Sequence, residues 1–436
     1  MSTQPYALPL RNIRVVELTT VWAGPFTSAL LADWGAEVVR VESTRNLLGG
    51  RGPVIAPNPA LVNSLRAGGE FYFAYPNWEA GERPWNRCVV FQVHGKDKRS
   101  VTLELTEPEG RDAFDALLRA SDVLIVNLAP DSLDALGLTF ERLRRVKPDL
   151  VVVRIAAFGH TGKAKHARGL GAEAEAHASF TALRGHPGVD LMFKDNVAFA
   201  DAAGSMAAAL GAISALAQRA QTGKGRLIDV SLSDAVVSLL TPSFLDALLN
   251  ARERTPQGNA HASMAPHGCY PCSGDDRWIV ITIRHDADWR NLRQAMGDPA
   301  WAQDPSLQSA FGRLRSRESL DRLLASWTAT RDAHETMALL QQHGIPAGVV
   351  MNERDVIESA HIKERGFLLP LRHRDTGSHL YPGYYWKTSP APSRTVRAPC
   401  ELGQENAWTY RDLLGLSAPA FNDLVNRRLI GTTPHG

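Results

Sequence analysis

Apolar and polar positions along this chain follow two rhythms, and the rhythms alternate in a β-α-β order. Residues 13–18 (IRVVEL) are a short apolar run rich in β-branched side chains and read as a strand. After Gly24-Pro25, with proline suited to a first helical turn, Phe26, Leu30, Leu31 and Trp34 recur at helical spacing and Gly35 ends the segment. Residues 37–42 (EVVRVE) return to strand character. Further strands are expected at 101–105, 122–127, 150–155 and 228–232, with helical patterns before or after them. Strands alternating with helices imply right-handed crossovers onto a parallel sheet, so the fold class is α/β with a Rossmann-like large domain. No G-x-G-x-x-G follows the first strand, so no nicotinamide site is read there.

The most apolar helical stretch, 202–220, is Ala-rich and is closed by Thr222-Gly223-Lys224-Gly225. A single carboxylate, Asp201, stands at its mouth among small and apolar residues. Two readings follow from the local pattern. Asp201 is a helix N-cap accepting the first free amides, or it is a nucleophile in a small-residue pocket with donors nearby.

Beyond residue 235 the pattern changes. Residues 269–283 read as strands, and amphipathic helices are expected at 286–296, 315–327 and 332–343, which together suggest a smaller α+β domain. The expected organisation is a large domain at 1–235, a linker at 236–265, the small domain at 266–345 and a return segment at 346–436 that completes the large domain. Cys269-x-x-Cys272 precedes a Ser273-Gly274-Asp275-Asp276 turn and reads as part of a hairpin, not as a metal or redox site. The long stretch 45–93 carries Phe71, Tyr72, Phe73, Tyr75, Trp78 and Trp85, too many aromatics for plain disorder. It is either a substrate-facing loop or a surface or dimer-contact excursion.

Composition narrows the function. A net charge of +2 over 436 residues gives no electrostatic case for nucleic acid or a membrane surface. No leader-like basic and apolar segment opens the chain, and the Ala-rich run is interrupted by Asp201, Gln218 and Arg219, so neither export nor a membrane span is expected and the location is read as cytoplasmic.

Two segments carry a resemblance. VWAGPFTSALLADWGAEVVRVE (21–42) and the stretch from Asp201 through R-A-Q-TGKG-R-L-I-D-V-S are similar to the class III coenzyme A transferases, the family that includes formyl-CoA transferase, the carnitine CoA-transferases and α-methylacyl-CoA racemase. Gly344-Ile345-Pro346 and Pro399–Asn406 resemble further family motifs, so the likeness runs through nearly the whole chain. It implies that Asp201 is the nucleophile, taking the acyl group as a mixed anhydride, and that the substrate is a coenzyme A thioester with a free carboxylic acid as acceptor and no tightly bound cofactor. It implies that Trp22, Ala23, Gly24 and Pro25 lie near the thioester. Arg40, Lys98, Arg99, Asn127 and Gly159 are implied near CoA. It also implies a homodimer with interlocked chains. Trp22 replaces a glutamine of formyl-CoA transferase, which argues against formate and oxalate. In the racemase a His-Asp pair occupies positions that here hold Leu170 and Gly171, which disfavours α-proton chemistry. Glu173 and His177, one helical turn apart, are the candidates for an assisting pair. Racemisation, an isomerising intramolecular transfer and a non-catalytic subunit of a heteromeric transferase are the alternatives.

Overall fold

Valine and isoleucine runs build the central sheet. In the computed structural model, which describes residues 7–47, 49–69, 73–190, 197–389, 391 and 396–435, six parallel strands lie in the order β3-β2-β1-β4-β5-β6. They are β1 (Arg14–Leu18), β2 (Glu37–Glu42), β3 (Lys98–Thr102), β4 (Val123–Val126), β5 (Val151–Ala156) and β6 (Leu227–Ser231). The register aligns Val15 with Val38 on one side and with Val123 on the other. Successive side chains alternate between faces. Val15, Val38, Ile125 and Val153 join one core, with Leu30 and Leu31 of α1 (Ala23–Asp33). Val16, Val39, Leu124 and Val152 join the other, with Phe114, Leu117 and Leu118 of α2 (Pro108–Arg119).

The Rossmann-like order reverses between β1 and β4, and open α/β sheets bind ligands beyond the carboxyl ends of strands at such a switch point. Three further helices gather beside it: α3 (Gly171–His177), α4 (Phe199–Thr222) and α5 (Leu232–Leu239). Alanines 208, 212 and 215 of α4 are buried in the first core. Gly223, in the left-handed region at φ 66°, ends α4 by donating its N–H to the Arg219 carbonyl at 2.8 Å. By length and composition α4 is apolar enough to cross a membrane, which the sequence reading did not expect. Its charged residues lie near its two ends, and in the fold its small face is core.

Two sequence expectations shift. The strand expected at 101–105 is β3 at Lys98–Thr102, so Lys98 and Arg99 are themselves strand residues. Their register partners are Val38 and Val39, and the Lys98 position is buried. The long aromatic segment is folded where it is described. Tyr75, Cys88, Val90 and Phe91 form a small core with Cys400, and the Arg83 guanidinium meets Asp375 and Glu401. Phe71 and Tyr72 lie outside the described residues, as does Asn196.

The chain divides into two compact units. The first comprises 1–180, 196–244 and 366–436; the second comprises 181–195 and 245–365. The second unit has an antiparallel sheet of β7 (His267–Pro271), β8 (Trp278–Thr282) and β9 (Ala347–Val350). Helices α6 (Asp286–Ala295), α7 (Arg317–Thr328) and α8 (Ala333–Gln342) supply Trp289, Leu292, Leu324 and Leu340 to its core. Cys269 pairs with Val280 across the expected hairpin. Of the segment 346–436, residues 346–365 with β9 fall in the second unit; in the first unit, residues 366–436 add the hairpin β10 (Leu368–His373) and β11 (Gly377–Pro382), and Tyr410, Leu424 and Ile430 join the second sheet core.

Candidate active site

Asp201 lies in the first turn of α4, two residues past its start at Phe199, and Ala198 occupies the cap position without a side-chain bond. The capping reading is therefore not what the fold uses. The carboxylate instead accepts the backbone N–H of Ala23, the first residue of α1, and its own amide. The leading amides of a helix have no intrahelical acceptor, and they favour negative charge. Ser205 ties the two helices at this point, its Oγ donating to the carbonyls of Ala23 (2.8 Å) and Asp201 (2.6 Å).

Small residues allow the approach. A Cβ on Gly171 would overlap Asp201 Oδ2, so any larger residue there would push the carboxylate out of place. A Cβ on Gly24 would come within 2.6 Å of Thr19 and 2.9 Å of Asn127. Burial is the main force on the Asp201 carboxyl, and the nearby Glu175 carboxylate adds to it; together they push its pKa up to about 6, against the pull of the two amides.

The remaining candidates separate into three groups. Trp22 precedes α1, and its ring stands 5.4 Å from the His94 ring, which is also 5.4 Å from Phe26. His94 was not singled out from sequence. Burial, with the cations Lys98, Arg40 and Lys96 nearby, lowers its pKa to about 3 and keeps the imidazole neutral.

Arg40 and Lys98, expected beside CoA, are instead sealed below α1. Lys98 Nζ bonds Glu17 (3.1 Å), the Pro25 carbonyl (2.8 Å) and Ser28 Oγ (2.8 Å). Arg40 meets Glu17 at 3.1 Å and Glu42 at 3.0 Å, and Glu42 also binds Arg51. Their positive ends are turned to carboxylates within the protein because two glutamates, one in β1 and one in β2, point into the same layer. Arg99 is half-buried between Glu37 and Glu405, its guanidinium 4.1 Å from the Trp408 ring centre. It lines a cavity of about 370 Å³ with Arg11 and Arg397.

Asn127 clamps the turn after β1: Thr20 N–H donates to its Oδ1 and its Nδ2 donates to the Thr20 carbonyl, both at 2.8 Å. Gly159, at φ 75°, lines a second cavity of about 340 Å³ with His177, Ser233 and Lys163. Glu173 and His177 do not meet: Glu173 accepts the Leu170 amide at 2.8 Å, and His177 Nδ1 lies 2.9 Å from Ser233 Oγ. The carboxylate that the fold brings to Asp201 is Glu175, 1% exposed, accepting the Ala200 amide at 3.1 Å. Only its even spacing from Gly171 on one helix face would have pointed to it.

The model of CoA-transferase family III matches residues 10–406, and the chain belongs to that family. A succinyl-CoA–D-citramalate CoA-transferase of Chloroflexus aurantiacus is 30% identical over 99% of this chain and 100% of its own length. A succinyl-CoA:mesaconate CoA-transferase of Haloarcula hispanica is 31% identical over 82% of this chain and 84% of its own. The crystal structure of a CAIB/BAIF family protein from Brucella suis superimposes with a TM-score of 0.79 at 27% identity, covering 94% of this chain and all of that one. The protein is accordingly a CoA-transferase.

Proposed function

We propose that, as a member of CoA-transferase family III, this enzyme moves CoA from an acyl-CoA to a free carboxylic acid through covalent intermediates on Asp201. The supporting observation is the partly buried Asp201 carboxylate held by the Ala23 amide with a glycine hydrogen against its oxygen. An Asp201 oxygen attacks the thioester carbonyl; the C–S bond breaks and CoA leaves as thiolate. The thiolate attacks the aspartyl carbonyl of the mixed anhydride, releasing the first acid and leaving an aspartyl-CoA thioester. The acceptor carboxylate attacks that thioester, thiolate leaves again, and its attack on the acceptor's acyl carbon frees Asp201 and forms the new acyl-CoA. The nucleophile is an anion at every stage, so no separate base is required. Amides in the first turn of α1 stabilise the oxyanions.

Short dicarboxylic acyl-CoAs are the donors to try first, given the succinyl-CoA named for two relatives. The Trp22, Phe26 and His94 rings favour an acceptor larger than formate. Leu170 is 66% exposed and Gly171 has no side chain, which leaves the racemase's His-Asp positions without a base. A cytoplasmic homodimer completes the reading; the apolar residues Met206, Leu210 and Ile213, exposed on one side of α4, suit a second copy.

The test is trapping. Purified protein is mixed with succinyl-CoA and other acyl-CoAs, then hydroxylamine, and peptides are mapped by mass spectrometry. A hydroxamate at Asp201, absent in Asp201→Asn, is expected. No adduct with any donor, together with exchange of the α-proton in heavy water, would replace this reading with racemisation.

A further inference from the structure

The first turn of α1 presents two neighbouring sides. On one, the Ala23 amide bonds Asp201. Thr27, one turn on, donates from Oγ1 to the Ala23 carbonyl at 2.8 Å and lies 3.4 Å from the Ser205 carbonyl of α4. On the other side, about 100° around the helix, Trp22 and Phe26 stand one turn apart, and the Phe26 N–H donates to the Trp22 carbonyl at 2.8 Å. His94 ends the short helix Val89–His94 and covers this second side, its ring centre 5.4 Å from each of the two aromatic rings. The turn that presents Trp22 is fixed in advance. Val21 is β-branched yet held at φ 58°, in the left-handed region, and Asn127 bonds both the N–H and the carbonyl of Thr20 beside it.

His94 is only 6% exposed, and among the described residues neither of its ring nitrogens has a hydrogen-bond partner. Buried polar groups are nearly always paired, so an exception at the edge of a site calls for a ligand. Burial keeps this imidazole neutral, with one N–H to donate and one nitrogen to accept. We propose that His94 is a specificity-determining residue, donating a hydrogen bond to an oxygen, carboxylate or hydroxyl, that the acyl group carries beyond its reacting carbonyl, while Trp22 and Phe26 flank the intervening carbons. The inference rests on Asp201 being the residue acylated, because an acyl carbon bonded there starts its chain at the first turn of α1. An acyl group without that oxygen leaves the buried imidazole unpaired, and this loss is what discriminates between substrates.

The experiment compares acyl-CoAs of equal chain length: succinyl-CoA with butyryl-CoA, and 3-hydroxybutyryl-CoA with butyryl-CoA. The readout is the rate of hydroxamate formation at Asp201 at subsaturating acyl-CoA. The wild type is expected to react at least about tenfold faster with an oxygen-bearing member of a pair. His94→Phe keeps a ring against Trp22 and Phe26 and removes both nitrogens. It is expected to lose about ten- to a hundredfold with that member and far less with butyryl-CoA, so the ratio falls toward one. His94→Gln, which keeps an N–H, is expected to restore part of the ratio. A purely structural role would slow both members alike and leave the ratio where it was. A wild-type ratio near one for both pairs, or an unchanged ratio in folded His94→Phe, with Asp201 still labelled, would overturn this inference alone. No label at Asp201 from any acyl-CoA would overturn the nucleophile reading and this inference with it.

Discussion

Asp201 is held where its charge is unwelcome, and that has a measurable cost. Its pKa lies near 6 in the folded chain, above the ordinary 3.8, so the folded protein holds a proton there that the unfolded chain has released. Stability therefore declines as pH rises from about 3.8 to about 6 and stays reduced above. Asn at this position accepts the same Ala23 amide without the charge. Asp201→Asn should raise the urea unfolding free energy by about 3 kcal/mol at neutral pH, with the gain vanishing in acid below the ordinary carboxylate range. Equal stability of the two proteins at neutral pH would mean that the carboxylate is better solvated than its surroundings indicate. Asp201 itself was legible in the sequence because one charge interrupts an apolar run. Glu175 was not, because in GAEAEAH two glutamates look alike until the fold turns one inward.

At the scale of elements, the first turn of α1 must be rigid for the Ala23 amide to stay aimed at Asp201. The turn rests on the ionic layer beneath it. Lys98 Nζ binds the Pro25 carbonyl, and Ser28, one turn on, bonds Glu17. Burial opposes the charge of Glu17, but Lys98 and Arg40 overcome it and lower its pKa; Arg51 and Arg40 likewise bring Glu42 down to about 2. Such carboxylates stabilise the fold above their ordinary pKa, and that stability is lost as pH falls through the lowered value. Removing one partner of a buried pair strands the rest. Lys98→Met should cost about 3–5 kcal/mol in urea unfolding at neutral pH, and Glu17→Gln/Lys98→Met should recover part of it. A loss below 1 kcal/mol would show that Arg40 alone suffices for Glu17. The alternating strands and helices of this layer were readable from periodicity, and β1, α1 and β2 lie where the pattern put them. The interior fate of Arg40 and Lys98 was hidden, since a lysine in a KDKRS run looks solvated unless the parallel register with Val38 is known.

On the scale of the whole molecule, α4 has two apolar sides, and the protein's own core covers one. Ala208, Ala212 and Ala215 pack inward, whereas Met206 is 50% and Leu210 66% exposed. An apolar helix with an open side passes a membrane-span test on length and composition. Yet Asp201 near its start and Arg219 near its end serve part-buried bonds within the first unit: Asp201 accepts the Ala23 amide, and Arg219 binds Asp122 at 2.8 Å. A span would have to break both. A second copy of the chain would cover the open side without disturbing either bond, which is why a homodimer is proposed. Light scattering of the purified enzyme should give twice the chain mass of 47.6 kDa. Met206→Lys/Leu210→Glu, placed on the open side and away from Asp201, should weaken association by about a hundredfold and yield the single-chain mass at low micromolar concentration, with unchanged helical circular dichroism. A wild-type monomer in detergent-free buffer, or a double variant that remains a dimer, would remove this face of α4 from the assembly.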